Sequence, residues 1–583
     1  MNCLVTAPIK SALDANNKNV FLDHWCSAEG QVDDDSCVAE LYSDKFKVGS
    51  LETQARYHNS LIISRRIISE LCPILNQILH LTSPPRYWQI VLGHFIQRYV
   101  STLIYRYDLL KTAVDCFQVT HAYTVEENED FDLVESTHQS FCLSTLDAVW
   151  NNRFNSEILR LSHDVKLLKI PSGIERRTVK EPGLNLFSAG VRYISAILIS
   201  ALQSDRAGVI TSSYLPRSSE ILLNLKLRQL PTVMNWPNLE MVKVDHGMRR
   251  TLKEKIGFSS DPIESLVKSL LPKILPTCFL EGHKQIRFLA KGLKLPKNPN
   301  FIFVSNLYEN NEVFKVWLAI QAIKGTPYIV GQHGAGYGTH QFLQTDANPE
   351  VECSDHFLSW GEMPVGNKSL PAFVLKTCDH AKGEFNKNGY LLLVPPAEPT
   401  RVFIWDADRE FLKTMESQRS FVSLLPLEVR RRAIIRFAQV ESCNRFSQQQ
   451  HFKSLFPEVS FDKRSTTFRS SASRSRLVVF FYDSTGFLES LSRDVPAIMI
   501  LPEGLGHLRG DVLTEYEKLF AANLIFCNLQ EASSFVVKIW EQVPTWWFSK
   551  STQKIKSRFC KKFCTDVTSP VSFLADTFTQ LGR

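Results

Sequence analysis

The stretch "FIFVSNLYENNEVFKVWLAIQAIKGTPYIVGQHG", residues 301–334, decides the fold class. It begins with a short apolar run, "FIFV", and ends with another, "TPYIV", that leads into polar and glycine residues. Between them lies "NNEVFKVWLAIQAIKG", whose apolar residues repeat at helical spacing and which ends at Gly325. A strand, a helix and a second strand joined by short loops indicate a parallel α/β sheet.

Short apolar runs that stop at polar or glycine residues continue on both sides of this stretch. The same block contains "AGVITSSYL" and "DHFLSWGE", and a second block contains "GYLLLVPP", "SRLVVFFYDST", "VPAIMILP" and "ANLIFCN". A linker near 365–388 separates the blocks. We therefore predict an α/β protein with two Rossmann-like domains facing a cleft. The first spans 1–375 and the second 385–583, and the last helices are candidates to cross back to the first.

Residues 51–122 are predicted to be a helical elaboration of the first domain. The segment "LETQARYHNSLIISRRIISELCPILNQIL" has apolar residues at helical spacing and no glycine or proline before Pro73. The segment "YWQIVLGHFIQRYVSTLIYRYDLLKTAV" is apolar on more than one face, which predicts a buried helix. Ahead of both segments we expect one strand, at "NVFLDHW".

The charge balance and the cysteine pattern narrow the function classes. The chain has 583 residues, 67 of them basic and 60 acidic, so its net charge of +7 is small. That balance argues against a nucleic-acid partner and suits an anionic substrate or a weak membrane contact. The 13 cysteines form no CxxC pair and no zinc-finger spacing, which favours reduced thiols in a cytosolic protein. We expect no signal peptide, and the apolar run 193–202 is shorter than the about 20 residues of a membrane span.

Ser484 and Thr485 are the first candidate site residues. They follow the predicted strand "SRLVVFFY" and stand where a helix begins. The unpaired N–H groups and the positive dipole end of a first helical turn bind phosphate, and the two hydroxyls could add donors. The alternative is an ordinary N-cap, for which serine, threonine and aspartate are the usual residues. Arg436 ends another predicted strand and is a second candidate phosphate ligand.

The loop after "TPYIV" is the second candidate, with Gln332, His333, Gly334 and Gly336 as a substrate loop. Glycines let a backbone approach a ligand closely, and a histidine can act as a general base or as a hydrogen-bond donor. The alternative for His333 is a structural hydrogen bond. Any of five carboxylates nearby in sequence could be a general base, although most of them are expected to be surface groups: Glu309, Glu312, Glu350, Glu352 and Asp355. His340 is expected at the surface.

Several common motifs do not occur in the sequence. There is no Walker A loop, no GxGxxG at the start of the chain, no HExxH and no GxSxG. Their absence disfavours a dehydrogenase, a kinase and a serine hydrolase with a nucleophile elbow.

The chain resembles the transferases of O-antigen and surface-carbohydrate biosynthesis that have a GT-B-like glycosyltransferase architecture. The similarity covers nearly the whole chain, from "LVTAPIKSALDANNKNVFLDHWC" through "RYWQIVLGHFIQRYVSTLIYRYDLL" and residues 303–338 to "SRLVVFFYDSTGFLESLSRDVPAIMI" and "TWWFSK". Matching positions in the helical signature are Arg86, Trp88, Gly93 and Asp108. The chain departs from the family pattern at Asp483, usually asparagine, and at Ala335, usually glycine.

This resemblance implies a transferase that moves a sugar from a nucleotide-activated donor to a growing surface glycan or lipid-linked glycan. A CMP-linked ulosonic acid is one candidate donor. The phosphate would lie on Ser484 and Thr485 with Arg436, the ribose near Glu489, and His333 across the cleft as the catalytic residue. No cofactor and no metal are expected, and the protein would work in the cytoplasm at the inner face of the membrane. Two alternatives remain: a glycerophospho-type transferase on the same scaffold, or a catalytically inactive binding protein.

Overall fold

The computed structural model describes most of the chain. The described residues are 2–27, 37–43, 46–47, 49–126, 130, 132–171, 195–234, 236–237, 239, 242–342, 348–396, 408–437, 448–463 and 465–582.

Three parallel sheets organise these residues. The first has the order β3-β2-β1-β4-β5, with β1 Asn2–Val5, β2 Lys18–Phe21, β3 Cys37–Val38, β4 Val119–Val125 and β5 Lys166–Ile170. The second has the order β10-β9-β8-β7-β6, with β6 Val209–Ile210, β7 Ile302–Val304, β8 Tyr328–Gly331, β9 His356–Ser359 and β10 Ser369–Pro371. The third has the order β13-β12-β11-β14-β15-β16, with β11 Tyr390–Val394, β12 Ala433–Ile435, β13 Ser460–Phe461, β14 Ser475–Phe480, β15 Ala497–Ile500 and β16 Ile525–Phe526.

Helices connect the strands and cover the sheets. In the first half of the chain they are α1 Leu51–Ile78, α2 Pro85–Phe117, α3 Thr137–Leu146, α4 Ala148–Ser162, α5 Arg217–Lys226, α6 His246–Lys255, α7 Pro262–Ile274, α8 His283–Gly292, α9 Glu312–Ala322 and α10 Pro349–Cys353, with a further helix at 195–202. In the second half they are α11 Asp408–Leu424, α12 Leu427–Arg430, α13 Gln448–Leu455, α14 Phe468–Ser473, α15 Thr485–Ser492, α16 Leu513–Ala521, α17 Leu529–Ile539, α18 Val543–Trp547, α19 Lys550–Phe563 and α20 Pro570–Leu581.

The predicted α/β class with parallel sheets is confirmed. The deciding stretch forms β7, α9 and β8, and the order of the third sheet is that of a doubly wound dinucleotide-binding fold. The structure also contains the first sheet, for which the sequence analysis predicted a single strand. Strand β4 mixes polar and apolar residues, and β1 pairs with it from more than a hundred residues away, so local pattern did not reveal the sheet.

The predicted buried helix is α2. It begins at Pro85, whose fixed φ suits the first helical position, and ends at Phe117, before Gln118, which has a φ of 48° in the left-handed region. Residues on every side of it are buried, among them Phe95 and Leu103. Helix α2 therefore lies inside the first half of the chain, where it packs between α1 and the layer that contains α9.

Gly486 allows α15 to begin close to strand β14. A Cβ atom at this position would lie 2.8 Å from Cε1 of Phe480, which is too close for any side chain. Because Gly486 lacks that atom, the first turn of α15 packs directly against the end of the strand that precedes it. The turn between β14 and α15 is thereby held at the carboxyl end of the third sheet.

The last helix, α20, packs on the second sheet, far from the strands that precede it in sequence. The ring of Phe578 lies 4.8 Å from the ring of Phe301 and 4.8 Å from that of Phe303, measured between centroids. Just before α20, the Thr565 N–H donates to the Trp360 carbonyl at 2.6 Å, and the Val374 N–H donates to the Thr565 carbonyl at 3.1 Å. The segment from Thr565 through α20 therefore packs against the second sheet and the residues that follow β9 and β10.

Among the described helices, none combines the length and the apolar character that a membrane crossing requires.

Replacing Phe578 with alanine tests how much α20 contributes to stability. Phe578 is fully buried, so Phe578→Ala is expected to lower the free energy of unfolding by about 3–5 kcal/mol. Phe288→Ala is the matched control because Phe288 is 78% exposed, and it should change the free energy by less than about 0.5 kcal/mol. Chemical denaturation followed by tryptophan fluorescence measures both, and equal stability of the two variants would contradict the packing described for α20.

Candidate functional site at the carboxyl ends of two sheets

The loop after β8 and the turn after β14 touch each other. The Ala335 N–H donates to Oγ1 of Thr485 at 2.9 Å. A Cβ atom on Gly334 would lie 3.3 Å from the same oxygen, so the glycine permits this close approach. The carboxyl ends of β8 and β14 therefore face one crevice, the place where open α/β sheets bind ligands.

The rest of the same loop pairs with the segment that follows β15. The Arg509 N–H donates to the Thr339 carbonyl at 2.8 Å, and the Gln341 N–H donates to the His507 carbonyl at 3.1 Å. The Gln341 side-chain amide also donates to the Gly506 carbonyl at 2.6 Å. The loop 331–342 is thus fixed to the third sheet at several points along its length.

His333 belongs to a buried hydrogen-bonded network with Tyr337 and Glu350. Its Nε2 lies 2.8 Å from the Tyr337 hydroxyl and 3.5 Å from Oε2 of Glu350. The Tyr337 hydroxyl donates to the Glu350 carboxylate, which can only accept when ionised. The tyrosine oxygen is then left to accept from Nε2–H of His333. This fixes the neutral tautomer and leaves a lone pair on Nδ1, to which no described residue donates.

The charges of this network support one another. Burial alone would lower the pKa of His333, but the attraction and hydrogen bond of Glu350, with a smaller effect of Glu309, raise it above the ordinary 6.5. Burial alone would likewise raise the pKa of Glu350, yet His333 and the Tyr337 hydroxyl hold it below its ordinary value. An ionised Glu350 thus makes His333 a stronger base and stabilises its protonated form.

Loops after β7 and β6, the next two strands beyond β8 in the second sheet, complete the surroundings of His333. The ring of Tyr214, after β6, lies 5.8 Å from the imidazole. Its hydroxyl accepts from the Asn306 side chain, after β7, at 2.9 Å, and Asn306 in turn accepts from the Ser212 hydroxyl at 2.8 Å. Tyr214 has a φ of 62°, a strained conformation of the kind that gathers at functional sites. Sequence reasoning missed Tyr214 and Asn306, although each stands at the end of a predicted strand.

The predicted substrate loop contains buried as well as partly exposed positions. Gln332 is buried, and its side chain accepts from the Trp360 N–H at 2.8 Å and donates to the Gly334 carbonyl at 2.9 Å. Gly336 has a φ of 90°, where glycine is favoured. Ala335 has no such φ, so the departure from the family's glycine requires no backbone strain.

Ser484 and Thr485 both use their hydroxyls within the protein. Ser484 is the N-cap of α15, and its Oγ accepts from the Gly486 N–H at 3.1 Å. Thr485 accepts from Ala335, as described above. The N-cap alternative is therefore realised, and phosphate binding at this turn stays a prediction that relies on the N–H groups and dipole of α15.

The other two predicted donor-side residues pair with protein charges. Arg436 follows β12 and donates to Oδ2 of Asp462 at 2.5 Å. In the third sheet, β11 lies between β12 and β14. Glu489 is buried on α15, where burial raises its pKa, and Lys376 lies 3.1 Å from its carboxylate. The structure thus brings Glu489 to the crevice next to the second sheet, and it places Arg436 two strands away from Ser484.

Of the five carboxylates considered as bases, two act on His333. Glu350 is its partner, and Glu309 adds to the rise in its pKa. The other three are engaged elsewhere in ion pairs: Glu312 with Lys315 at 2.6 Å, Glu352 with Arg65 at 3.1 Å and Asp355 with Arg86 at 2.8 Å.

His340 was expected at the surface, but its side chain is half-buried and paired with Asp483. Its Nε2 lies 3.1 Å from Oδ2 of Asp483, and Nε2 of His507 lies 3.3 Å from the same oxygen. Burial alone would raise the pKa of Asp483, but its bonds to the two histidines hold that pKa well below the ordinary value. Sequence reasoning missed His507, which lies in the irregular stretch "LPEGLGHLRG".

Three groups of described side chains bring candidate metal-ligating atoms within 4.8 Å of one another. They are Cys3, Asp14 and His121 in the first sheet, His94, Glu309 and Glu350 beside His333, and His340, Asp483 and His507 between the second and third sheets.

The pKa of His333 provides a test of the network that needs no substrate. We expect His333 to titrate above 6.5 in the wild type, and below 6.5 in Glu350→Gln, because the variant keeps the burial and loses the charge. Histidine ring signals in NMR, recorded against pH, measure this. Glu352→Gln is the matched control, since Glu352 pairs with Arg65 at the surface, and it should leave the His333 titration unchanged. A wild-type His333 that titrates below 6.5 would contradict the network.

Several solved structures are similar to this chain at low sequence identity. A variant of the wall teichoic acid polymerase TagF is 10% identical over 49% of this chain and 74% of its own, with a TM-score of 0.29. MurG of Acinetobacter baumannii is 11% identical over 52% of this chain and 78% of its own, with a TM-score of 0.27. S. aureus MnaA with UDP is 11% identical over 62% of this chain and 98% of its own, with a TM-score of 0.33. These TM-scores are too low to support a conclusion about the fold, so the fold is assigned from the strand order of the three sheets.

Comparison at the level of sequence gives a clearer result. A search of curated proteins finds no match. The profile of the LIC12162 family transferases matches residues 2–578, nearly the full length of the chain. The protein therefore belongs to the LIC12162 family of transferases.

Proposed function

We propose that this transferase is a glycosyltransferase that moves a sugar from a nucleotide-activated donor to a surface glycan. The reaction would take place in the crevice between the second and third sheets. The hydrogen bond from the Ala335 N–H to Thr485 is the observation that carries the proposal, because it brings His333 and the start of α15 to one site. A base on one side and a phosphate-binding helix end on the other are the two groups that such a transfer needs.

On the donor side, the nucleotide phosphate would lie at the first turn of α15. The N–H groups of that turn and the helix dipole favour a negative charge there, and the charge that develops on the leaving phosphate would be stabilised in the same way. Asp483, one residue before the N-cap, has its carboxylate turned toward His340 and His507, within hydrogen-bond distance of both imidazoles. The resemblance makes a CMP-linked ulosonic acid the first donor to test.

On the acceptor side, Nδ1 of His333 would take the proton of the attacking hydroxyl. The acceptor oxygen forms the new bond to the anomeric carbon, and the bond from that carbon to the phosphate oxygen breaks. The nucleotide leaves with the electron pair, and the proton stays on His333, where Glu350 stabilises the imidazolium. The acceptor would be a growing glycan or lipid-linked glycan, met by peripheral contact with the inner face of the cytoplasmic membrane.

A screen of nucleotide-linked compounds by thermal unfolding tests the donor. At 100 times its Kd, a ligand that binds only the folded protein adds about 2.7 kcal/mol of stability, so the correct donor should raise the Tm clearly. The screen uses CMP-, UDP-, GDP- and CDP-linked sugars, with CDP-glycerol as a separate arm. A Tm increase and turnover with a nucleotide-sugar is the expected result. Turnover with CDP-glycerol alone would replace the proposal by the glycerophospho-type alternative, and no response to any nucleotide would contradict both.

Replacement of His333 tests the assigned base. His333→Ala should lower kcat by about 10²–10⁴-fold, the usual contribution of a general base, while the Tm increase caused by the nucleotide persists. His58→Ala is the control, because His58 is exposed on α1, and it should keep full activity. If His333→Ala retains wild-type kcat with the identified donor, His333 is not the base.

A further inference from the structure

We propose that His340, Asp483 and His507 form a binding site for a divalent transition-metal ion, with zinc as the best fit. The site joins the loop after β8 to two segments of the third sheet. It is independent of the proposed sugar transfer, which assigns no step to a metal.

The spacing of the three ligand atoms suits a tetrahedral metal. Zinc binds imidazole nitrogen at about 2.0–2.1 Å and carboxylate oxygen at about 2.0–2.2 Å, so two ligand atoms of a tetrahedral site stand about 3.3–3.5 Å apart. In the structure, Oδ2 of Asp483 lies 3.1 Å from Nε2 of His340 and 3.3 Å from Nε2 of His507. All three ligand atoms, including the two imidazole nitrogens, lie within 4.8 Å of one another, which is close enough for one ion to reach them after small side-chain movements.

Hydrogen bonding alone does not account for this arrangement. Three groups converge on Oδ2 of Asp483: the two imidazole nitrogens and the Tyr516 hydroxyl, at 2.9 Å. A carboxylate oxygen offers about two lone-pair sites. The other oxygen, Oδ1, is buried and receives no hydrogen bond from any described residue. One oxygen thus has more donors than it can accept, while its neighbour has none.

A metal ion would remove the excess of donors at Oδ2 of Asp483. Each Nε2 would then give its lone pair to the ion instead of competing for the carboxylate, and Asp483 would supply the third ligand. The Tyr516 hydroxyl would remain as the outer hydrogen bond that orients the ligating carboxylate. Two imidazoles and one carboxylate form a donor set that zinc accepts readily, with a fourth position left for water.

The backbone holds the ligand-bearing segments together before any ion binds. His340 forms an antiparallel bridge with Leu508, next to His507, and the Gln341 N–H donates to the His507 carbonyl. The two imidazole rings are perpendicular, at 89°, with centroids 4.9 Å apart. The histidine side chains are 24% and 19% exposed, so an ion and a water molecule can reach them from solvent.

The other two groups of candidate ligating side chains lack a buried carboxylate oxygen without a hydrogen-bond partner. Asp14 accepts from the backbone of Asn16 and Asn17, from the Asn17 side chain and from His121. Glu350 is engaged by Tyr337 and His333. Neither Asp14 nor Glu350 is among the described residues with a buried carboxylate oxygen that lacks a partner, whereas Asp483 is.

The proposal is tested on the full-length protein after dialysis against a chelator and addition of zinc chloride. Mass spectrometry of the metal content should find one zinc ion per chain in the wild type. His340→Ala and His507→Ala should each weaken zinc binding about 100-fold or more, since loss of even an outer hydrogen bond costs about 10–100-fold. His121→Ala is the matched control in another cluster and should bind zinc like the wild type. Circular dichroism confirms that each variant is folded.

Cobalt substitution in the wild type provides a measurement that does not depend on any variant. Tetrahedral coordination by two imidazoles, one carboxylate and water should give strong visible d–d bands without thiolate charge transfer. Absence of stoichiometric zinc or cobalt binding would overturn the proposal. Zinc binding that both His340→Ala and His507→Ala retain would also overturn the proposal. Loss of binding in His121→Ala alone would place the ion in the first sheet and would overturn it as well.

Discussion

The hydrogen bond from the Ala335 N–H to Oγ1 of Thr485 is the contact that joins the second sheet to the third at the candidate site. Two sheets that meet only through linkers would be free to open and close. Here the loop after β8 is bonded to the turn after β14 and, a few residues on, to the segment after β15. The crevice between the sheets is therefore built from the loops that would do the chemistry, and its geometry is set before a ligand arrives. Preorganisation of this kind lowers the reorganisation that a reaction requires.

Two buried carboxylates give the loop 331–342 its charge pattern. Glu350 faces His333, and Asp483 faces His340, seven residues further along the same loop. A buried carboxylate is costly unless it is hydrogen-bonded, so each pairing stabilises the position of the loop as well as the ionised state of the acid. Asp483, where the resemblance implies asparagine, is accommodated in the same way. Its carboxylate lies within hydrogen-bond distance of two histidines and of the Tyr516 hydroxyl.

The sequence patterns predicted most strands of the second and third sheets, because those strands are apolar runs separated by helices, but they missed β10 and β13. They were insufficient for the first sheet, whose β4 mixes polar and apolar residues and pairs with the distant β1. In the site, a glycine-flanked histidine at a strand end indicated His333. Glu350 could not be chosen from among five carboxylates, and His507 has no local signal, because both are defined by contacts across the fold. Ser484 differs, because the ordinary N-cap role that the sequence left open as the alternative is observed, whereas phosphate binding there stays a prediction.

A crystal structure with a bound nucleotide would locate the donor site. We expect the phosphate at the first turn of α15 and the nucleotide in the crevice beside His333. We also expect the hydrogen bond between Ala335 and Thr485 to persist in the complex. A nucleotide bound elsewhere, such as over the carboxyl ends of β1 and β4 in the first sheet, with the crevice closed by protein side chains, would contradict the proposed donor site.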